Sequence, residues 1–438
     1  MKSWILPTIL LIGSFFCNAQ SFNYEKLDKY FDLLEANDKF MGSVAVSKGG
    51  ELIYTRSVGY CNLAEDAKAD ISSKYRIGSI SKTFTTVLVF KAIEAGKLSL
   101  DQTLDDFFPE VPNSEKITIK QLLGHRSGIH NITDDAKYME YYTQPQAQEQ
   151  LLDIIVTAGS DFEPGSKAQY SNSNFILLTF ILEKSMSDSY PNLLRSFITE
   201  PLGLSNTYVG SKIGTNSNEC KSYINLGTWQ EQPETDLSIP LGAGAVVSTP
   251  VDIVKFSDAL FGGNLLKTEY VELMKTKQDA YGFGLFSFPY RGRTSYGHTG
   301  GIDGFSSLFG HFDDGNISFA MTSNGANMNT NDIAITILST VYNDPFEMPE
   351  FNNYEVTLDQ LEAYVGTYAS PGFPLDLDIK IVDGELKGQA TGQPAFPLEA
   401  IAEHQFEFKP AKITITFKPE ENSMLFEQMG ASYQLVKK

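Results

Sequence analysis

Tyr75-Arg76-Ile77-Gly78-Ser79-Ile80-Ser81-Lys82 runs straight into Thr83-Phe84-Thr85-Thr86-Val87-Leu88-Val89-Phe90, and Gly96 follows Ala95. The apolar spacing predicts a helix over 83–95, with Gly96 at its C′ position. Ser79 and Lys82 are three residues apart, so they share one patch at the helix N-terminus. Free amide N–H groups there favour developing negative charge. A serine hydroxyl is a weak nucleophile until a base takes its proton, and a desolvated lysine can be that base. Alone, the S-x-x-K spacing also describes an N-capping serine beside a surface lysine. Its meaning depends on what accompanies it.

Two further features accompany it. Tyr170-Ser171-Asn172 follows Pro164-Gly165 and precedes the apolar run Phe175–Phe180. A tyrosine on a loop before a buried helix can shuttle a proton, and an asparagine offers a donor and an acceptor to an amide. The plainer reading is an Asx-capped helix start. His298-Thr299-Gly300-Gly301 precedes Ile302-Asp303-Gly304-Phe305. Two glycines in a strand context suggest a backbone approached closely by a ligand, with one N–H available for an oxyanion hole. The plainer reading here is a bulged edge strand.

Serine, lysine, tyrosine-x-asparagine and histidine-threonine-glycine, in that order, resemble the serine β-lactamase and penicillin-binding protein superfamily. The nearest likeness is its class C-like branch of β-lactamases, DD-carboxypeptidases, peptidases and esterases. Flanking segments agree: Leu122-Leu123-Gly124-His125-Arg126-Ser127-Gly128, Phe162-Glu163-Pro164-Gly165 and Gly242-Ala243-Gly244-Ala245. The resemblance covers about residues 25–345. It implies Ser79 as acylated nucleophile, Lys82 as its base and Tyr170 as a second acid/base. It implies Asn172 as a ligand of the substrate amide or of the Lys82 ammonium, and His298, Thr299 and Gly300 as substrate-side residues. The N–H groups of Ser79 and Gly301 would form the oxyanion hole. Many β-lactamases of this type carry lysine where His298 stands. A histidine, unperturbed near pH 6.5, is largely neutral above that pH. This weakens an antibiotic-hydrolase reading. His125 reads as a packed histidine beside the cleft.

The surrounding pattern predicts an α+β plan. A helix over 22–37 is followed by a hairpin, Gly42–Ser47 and Glu51–Thr55, turning at Lys48-Gly49-Gly50. Helices are expected over 119–123, 146–158 and 174–186. Strands return at Gly282–Phe288, Phe305–His311 and Ile317–Thr322, before a helix over 333–342. One sheet built from both ends of the domain, with helices inserted between, fits this order better than repeating βα units. Residues 20–345 are expected to form the hydrolase domain and 346–358 a linker. Residues 359–438, with strand-like alternation from Leu375 onward, are expected to form a small antiparallel β domain.

The first residues carry Lys2 and a short apolar run from Trp4 to Phe16, then Cys17-Asn18-Ala19. This reads as a signal peptide over 1–19, and the protein is expected to be exported, periplasmic or secreted. A lipoprotein reading of Cys17 is disfavoured by Phe16, where a lipobox wants a small residue. Only Cys61 and Cys220 then remain, which permits one disulfide but no thiolate metal site. No spacing among the five histidines suggests a metal, and no cofactor motif occurs. With 34 Lys/Arg against 54 Asp/Glu, the net charge of −20 argues against nucleic acid or an anionic bilayer as the main partner. The expected partner is a small-molecule or peptidoglycan-type peptide or ester substrate. Two rival functions are a class C-like β-lactamase and a non-catalytic penicillin-recognising sensor.

Overall fold

The computed structural model describes residue 22 and residues 24–438, except 215–217, 352–353, 355 and 383. The expected signal peptide lies outside the described residues. Helix α1 (Tyr24–Ala36) buries Leu27, Tyr30, Phe31 and Leu34, the spacing of one helix face. Strands β1 (Phe40–Lys48) and β2 (Glu51–Val58) form the expected hairpin. Four more strands come from the far end of the domain: β3 (Phe286–Tyr290), β4 (Arg293–Ile302), β5 (Phe305–Phe312) and β6 (Ile317–Ala326). The sheet order is β3-β4-β5-β6-β1-β2, and every pairing is antiparallel. The central pair β1·β6 joins residues some 280 positions apart, with Val44 opposite Met321. The two ends of the domain therefore build one sheet.

Each face of that sheet carries its own core. On one side α1 and α5 (Thr330–Val341) pack Phe31, Ile333 and Ile337 against Val44, Phe319 and Met321. On the other lie α2 (Ser81–Glu94), α3 (Asn172–Met186) and α4 (Pro250–Phe261). Here Phe84 stacks on Phe256 at 3.9 Å between ring centres. Helix α2 is buried nearly all round, which is why its apolar run carries so little amphipathic pattern. Cys61 and Cys220 are joined by a disulfide buried beside Tyr75 and Phe305.

One expected strand is shifted. Gly282–Leu285 is a turn, and β3 begins only at Phe286. Gly284 has φ +62°, and a Cβ there would meet Thr86 Oγ1 at 2.3 Å. Close approach to α2 thus bends the chain where alternation alone reads as strand.

The C-terminal part is a closed barrel rather than an open sheet. After the short helix α6 (Leu358–Glu362) come β7 (Gly366–Ser370), β8 (Phe373–Val382), β9 (Glu385–Ala390) and β10 (Phe396–Pro397). They are followed by β11 (Glu399–Ala402), β12 (Gln405–Phe408), β13 (Ile413–Lys418), β14 (Ser423–Gln428) and β15 (Ala431–Lys437). The strand order starts at β10 and ends at β11, which only Leu398 separates. Closure removes the sheet edges. Leu377, Ile379, Phe406, Ile415, Phe417, Met424 and Leu435 fill the inside. The barrel touches the hydrolase domain through the nearly buried Lys39, whose Nζ lies 2.9 Å from Glu399 Oε2.

Candidate active site

Gly78 opens a 3₁₀ turn that feeds α2, and it adopts φ +50°. A Cβ on Gly78 would meet Gly301 N at 2.8 Å, and one on Gly300 would meet Ile77 O at 2.0 Å. The nucleophile turn and β4 thus touch backbone to backbone, with no side chain as spacer. β4 is not an edge strand along its length: β3 pairs with it from Arg293 to Gly297. Beyond Gly297 its pairing with β3 ends, and that free stretch meets Gly78 and Ser79. Ser79 and Gly301 thereby line one cleft.

Lys82 lies one helical turn after Ser79 and is fully buried. Its Nζ donates to Ser79 Oγ at 3.0 Å, to Asn172 Oδ1 at 2.7 Å and to the Ala243 carbonyl at 2.7 Å. Burial holds its pKa well below the ordinary lysine value. Asn172 is aimed by its neighbours. Its backbone N–H donates to Asn131 Oδ1 and its Nδ2 donates to Thr133 Oγ1, both at 2.9 Å. Those bonds fix which end of the amide faces Lys82.

Tyr170 is buried beside Ser79. Burial pushes its phenol above the ordinary value, and the Ser79 hydroxyl opposes the shift. The ring lies 4.8 Å from Lys82 Nζ and 4.4 Å from the His125 ring centre. His125 is packed, as expected, but it also supports Tyr170. Its Nδ1 accepts from Ser171 N–H at 3.2 Å, and burial holds it neutral.

His298 and Thr299 separate. Cross-strand partners share a face, so His298 goes with Phe309 toward the helices, and Thr299 goes with Leu308 toward α5. His298 is buried against Phe286, and its Nδ1 bonds the Thr299 carbonyl. Burial, with Lys82 nearby, lowers its pKa to about 3, so it is neutral. Thr299 lines a different cavity, of about 420 Å³, with Phe288, Pro289 and Ile335.

The cleft at Ser79 has a volume of about 380 Å³. Ser79, Asn172 and Gly301 form its floor, and Tyr138, Met139, Tyr142, Ile176, Pro233 and Ile239 give it an apolar wall. No lysine or arginine is among the described residues that line it. A cavity of about 1230 Å³ lies between the barrel, α1 and residues 346–351, and none of the groups above opens into it. Among the described residues no cluster of His, Cys, Asp or Glu could hold a metal.

Sequence reasoning did not reach Asn131, Thr133, the Ala243 carbonyl or the pairing of Arg76 with Asp303. Each acts by position in space, and only the Gly242–Ala245 run gave any local sign.

The arrangement sets the Ser79 hydroxyl against a buried amine, beside a phenol and the Gly301 backbone. It can form and break an acyl-enzyme. Residues 30–341 match the family model described as Beta-lactamase. Penicillin-binding protein 4* of Bacillus subtilis is 26% identical over 74% of this chain and 77% of its own length. The teichoic acid D-alanine hydrolase of Staphylococcus aureus is 25% identical over 65% and 71%. Among solved structures, a D-stereospecific amidohydrolase from Streptomyces superposes with a TM-score of 0.61 at 29% identity, over 70% of this chain and 97% of that one. The octameric penicillin-binding protein homologue from Pyrococcus abyssi gives 0.65 at 23% identity, over 94% and 99%. From the match over most of its length, the chain belongs to the beta-lactamase family and is a serine hydrolase.

Proposed function

We propose that the protein is an exported hydrolase of amide or ester bonds next to a D-amino acid residue, acting through an acyl-enzyme on Ser79. The observation that carries this is Lys82 Nζ, 3.0 Å from Ser79 Oγ and fixed from behind by Asn172 and Ala243. In its neutral form Lys82 takes the Ser79 proton as Oγ attacks the carbonyl carbon. The N–H groups of Ser79 and Gly301 hold the oxyanion. The proton passes through the Tyr170 phenol to the leaving nitrogen or oxygen. Water then attacks the ester: neutral Lys82 takes its proton, relayed through the Tyr170 hydroxyl, and returns it to Ser79 Oγ as that oxygen leaves the acyl carbon.

The D-amino acid preference draws on two relatives, named as a D-alanine hydrolase and a D-stereospecific amidohydrolase. The apolar wall of Tyr138, Met139, Ile176 and Pro233 supports an acyl group with a hydrophobic side chain. The absence of lysine and arginine among the described lining residues supports a neutral rather than an anionic acyl half. Export to an oxidising compartment is supported by the Cys61–Cys220 disulfide. The test is a side-by-side panel of D- and L-amino acid amides, short p-nitrophenyl esters, D-Ala-D-Ala peptides and nitrocefin. Turnover of D-phenylalanine amide above its L-isomer is expected. Turnover confined to nitrocefin would overturn the reading.

A further inference from the structure

Arg76 lies three residues before Ser79, and Asp303 lies two residues after Gly301. Their side chains are both 1% exposed and form an ion pair of 3.0 Å. The guanidinium binds four groups on three other segments. Nη1 donates to Asp303 Oδ2 at 3.0 Å and to the Thr235 carbonyl at 2.8 Å. Nη2 donates to Glu234 Oε2 at 2.7 Å and to the Ser211 carbonyl at 3.1 Å. Asp303 is satisfied on its other oxygen, which accepts from Thr235 N–H at 3.0 Å and Thr235 Oγ1 at 2.6 Å. Its backbone is held at positive φ, +53°.

A buried ion pair is weak evidence for stability, since apolar residues of similar shape often serve as well. What this pair does that apolar residues cannot is fix direction. The Ile77–Gly78 turn and the Gly300–Gly301 stretch touch through bare backbone, so no side chain sets the gap between them. Ser307 Oγ donates to the Ile77 carbonyl at 2.8 Å and ties the turn to β5. At the other end the tie is Arg76 to Asp303.

We infer that Arg76 and Asp303 form a positioning clamp that sets the spacing between the Ser79 and Gly301 N–H groups. The inference rests on the reading of Ser79 as nucleophile. Neither side chain touches the reacting atoms; both act through the backbone they hold. Thr235 extends the clamp to the cleft wall, because it lines the cleft and binds Asp303 through both its N–H and its hydroxyl.

The test uses the whole protein and two conservative variants. Asp303→Asn keeps the shape and removes the charge facing Arg76. Arg76→Lys keeps the charge and loses the fork. The readouts are kcat and KM for an amide substrate and the affinity of an aryl boronic acid, which bonds Ser79 Oγ and places an oxygen between the two N–H groups. Misplaced reacting groups cost up to about 100-fold, so kcat and boronate affinity are expected to fall together by roughly 10–100-fold. KM should stay within about threefold, the signature of an interaction made only in the transition state. Glu234→Gln removes equal charge from the same guanidinium on the wall side, and it should spare the boronate affinity.

The clamp is overturned if both variants keep kcat and boronate affinity. It is overturned equally if they behave as Glu234→Gln does, or if both fail to fold, since the pair would then serve folding alone. Should only one fold, that one decides. Ser79→Ala run in parallel separates the two failures: boronate binding that survives it overturns the nucleophile on which the clamp rests, whereas binding lost in Ser79→Ala but kept in both clamp variants overturns the clamp alone.

Discussion

Lys82 holds its Nζ 3.0 Å from Ser79 Oγ and 2.7 Å from both Asn172 Oδ1 and the Ala243 carbonyl. Burial lowers its pKa toward the neutral amine, whose two hydrogens suffice for Asn172 and Ala243 and whose lone pair then faces Ser79 Oγ. Replacing Lys82 with methionine keeps the volume and removes the base. The expected loss in kcat/KM is about 10²–10⁴-fold, the usual worth of general-base help. Circular dichroism of the folded variant checks that the loss is chemical.

The phenol of Tyr170 matters in proportion to how badly the leaving group needs a proton. Tyr170→Phe keeps the packing against His125 and removes the hydroxyl beside Ser79. Hydrolysis of an alkyl amide should fall about 10²–10⁴-fold. A p-nitrophenyl ester, whose leaving group departs as a stable anion, should fall far less. Equal losses on both substrates would show that Tyr170 acts before leaving-group departure.

His298 makes stability depend on acid pH. Unfolded, its imidazole takes a proton near pH 6.5; folded, it resists until about pH 3. The unfolded state therefore binds more protons between those values, so stability present above pH 6.5 is lost as the pH falls toward 3. The slope from this one residue is at most about 1.4 kcal/mol per pH unit. In urea unfolding across pH 4–7, His298→Gln should show a slope smaller than the wild type by up to that amount, the remainder coming from His125 and His311, which burial also holds neutral.

Gly300 is required by contact rather than by turn geometry. A methyl group there would sit 2.0 Å from the Ile77 carbonyl and 2.3 Å from Ser307 Oγ. Gly300→Ala must push β4 away from the nucleophile turn. Overpacking of this kind costs about 1–3 kcal/mol. Activity should fall further than stability, because the same shift opens the gap between Ser79 and Gly301. Thermal unfolding and kcat on one preparation measure both.

Much of this was legible along the chain because it is local. The hairpin at Lys48-Gly49-Gly50, helix α2 and the segments around Ser79, Tyr170 and His298 each carry their own pattern. What was not legible depends on residues far apart. Arg76 reads as an ordinary basic residue until Asp303, 227 positions later, is placed on it. The Cys61–Cys220 bond, 159 positions long, is permitted by sequence but not specified. Closure of the barrel rests on Phe396–Ala402 serving two neighbours, β9 and β12, and alternation cannot report that. Thr299 reads with His298 as one motif, yet a period of two must turn neighbours to opposite faces.

The central claim is that Ser79 is acylated. The direct measurement is intact and peptide mass spectrometry after brief exposure of the whole protein to an activated acyl ester or a fluorophosphonate. The account predicts one adduct, on the peptide containing Ser79, lost in Ser79→Ala and strongly slowed when Lys82 is replaced by methionine. An adduct of undiminished yield in Ser79→Ala, on any other residue, would contradict it.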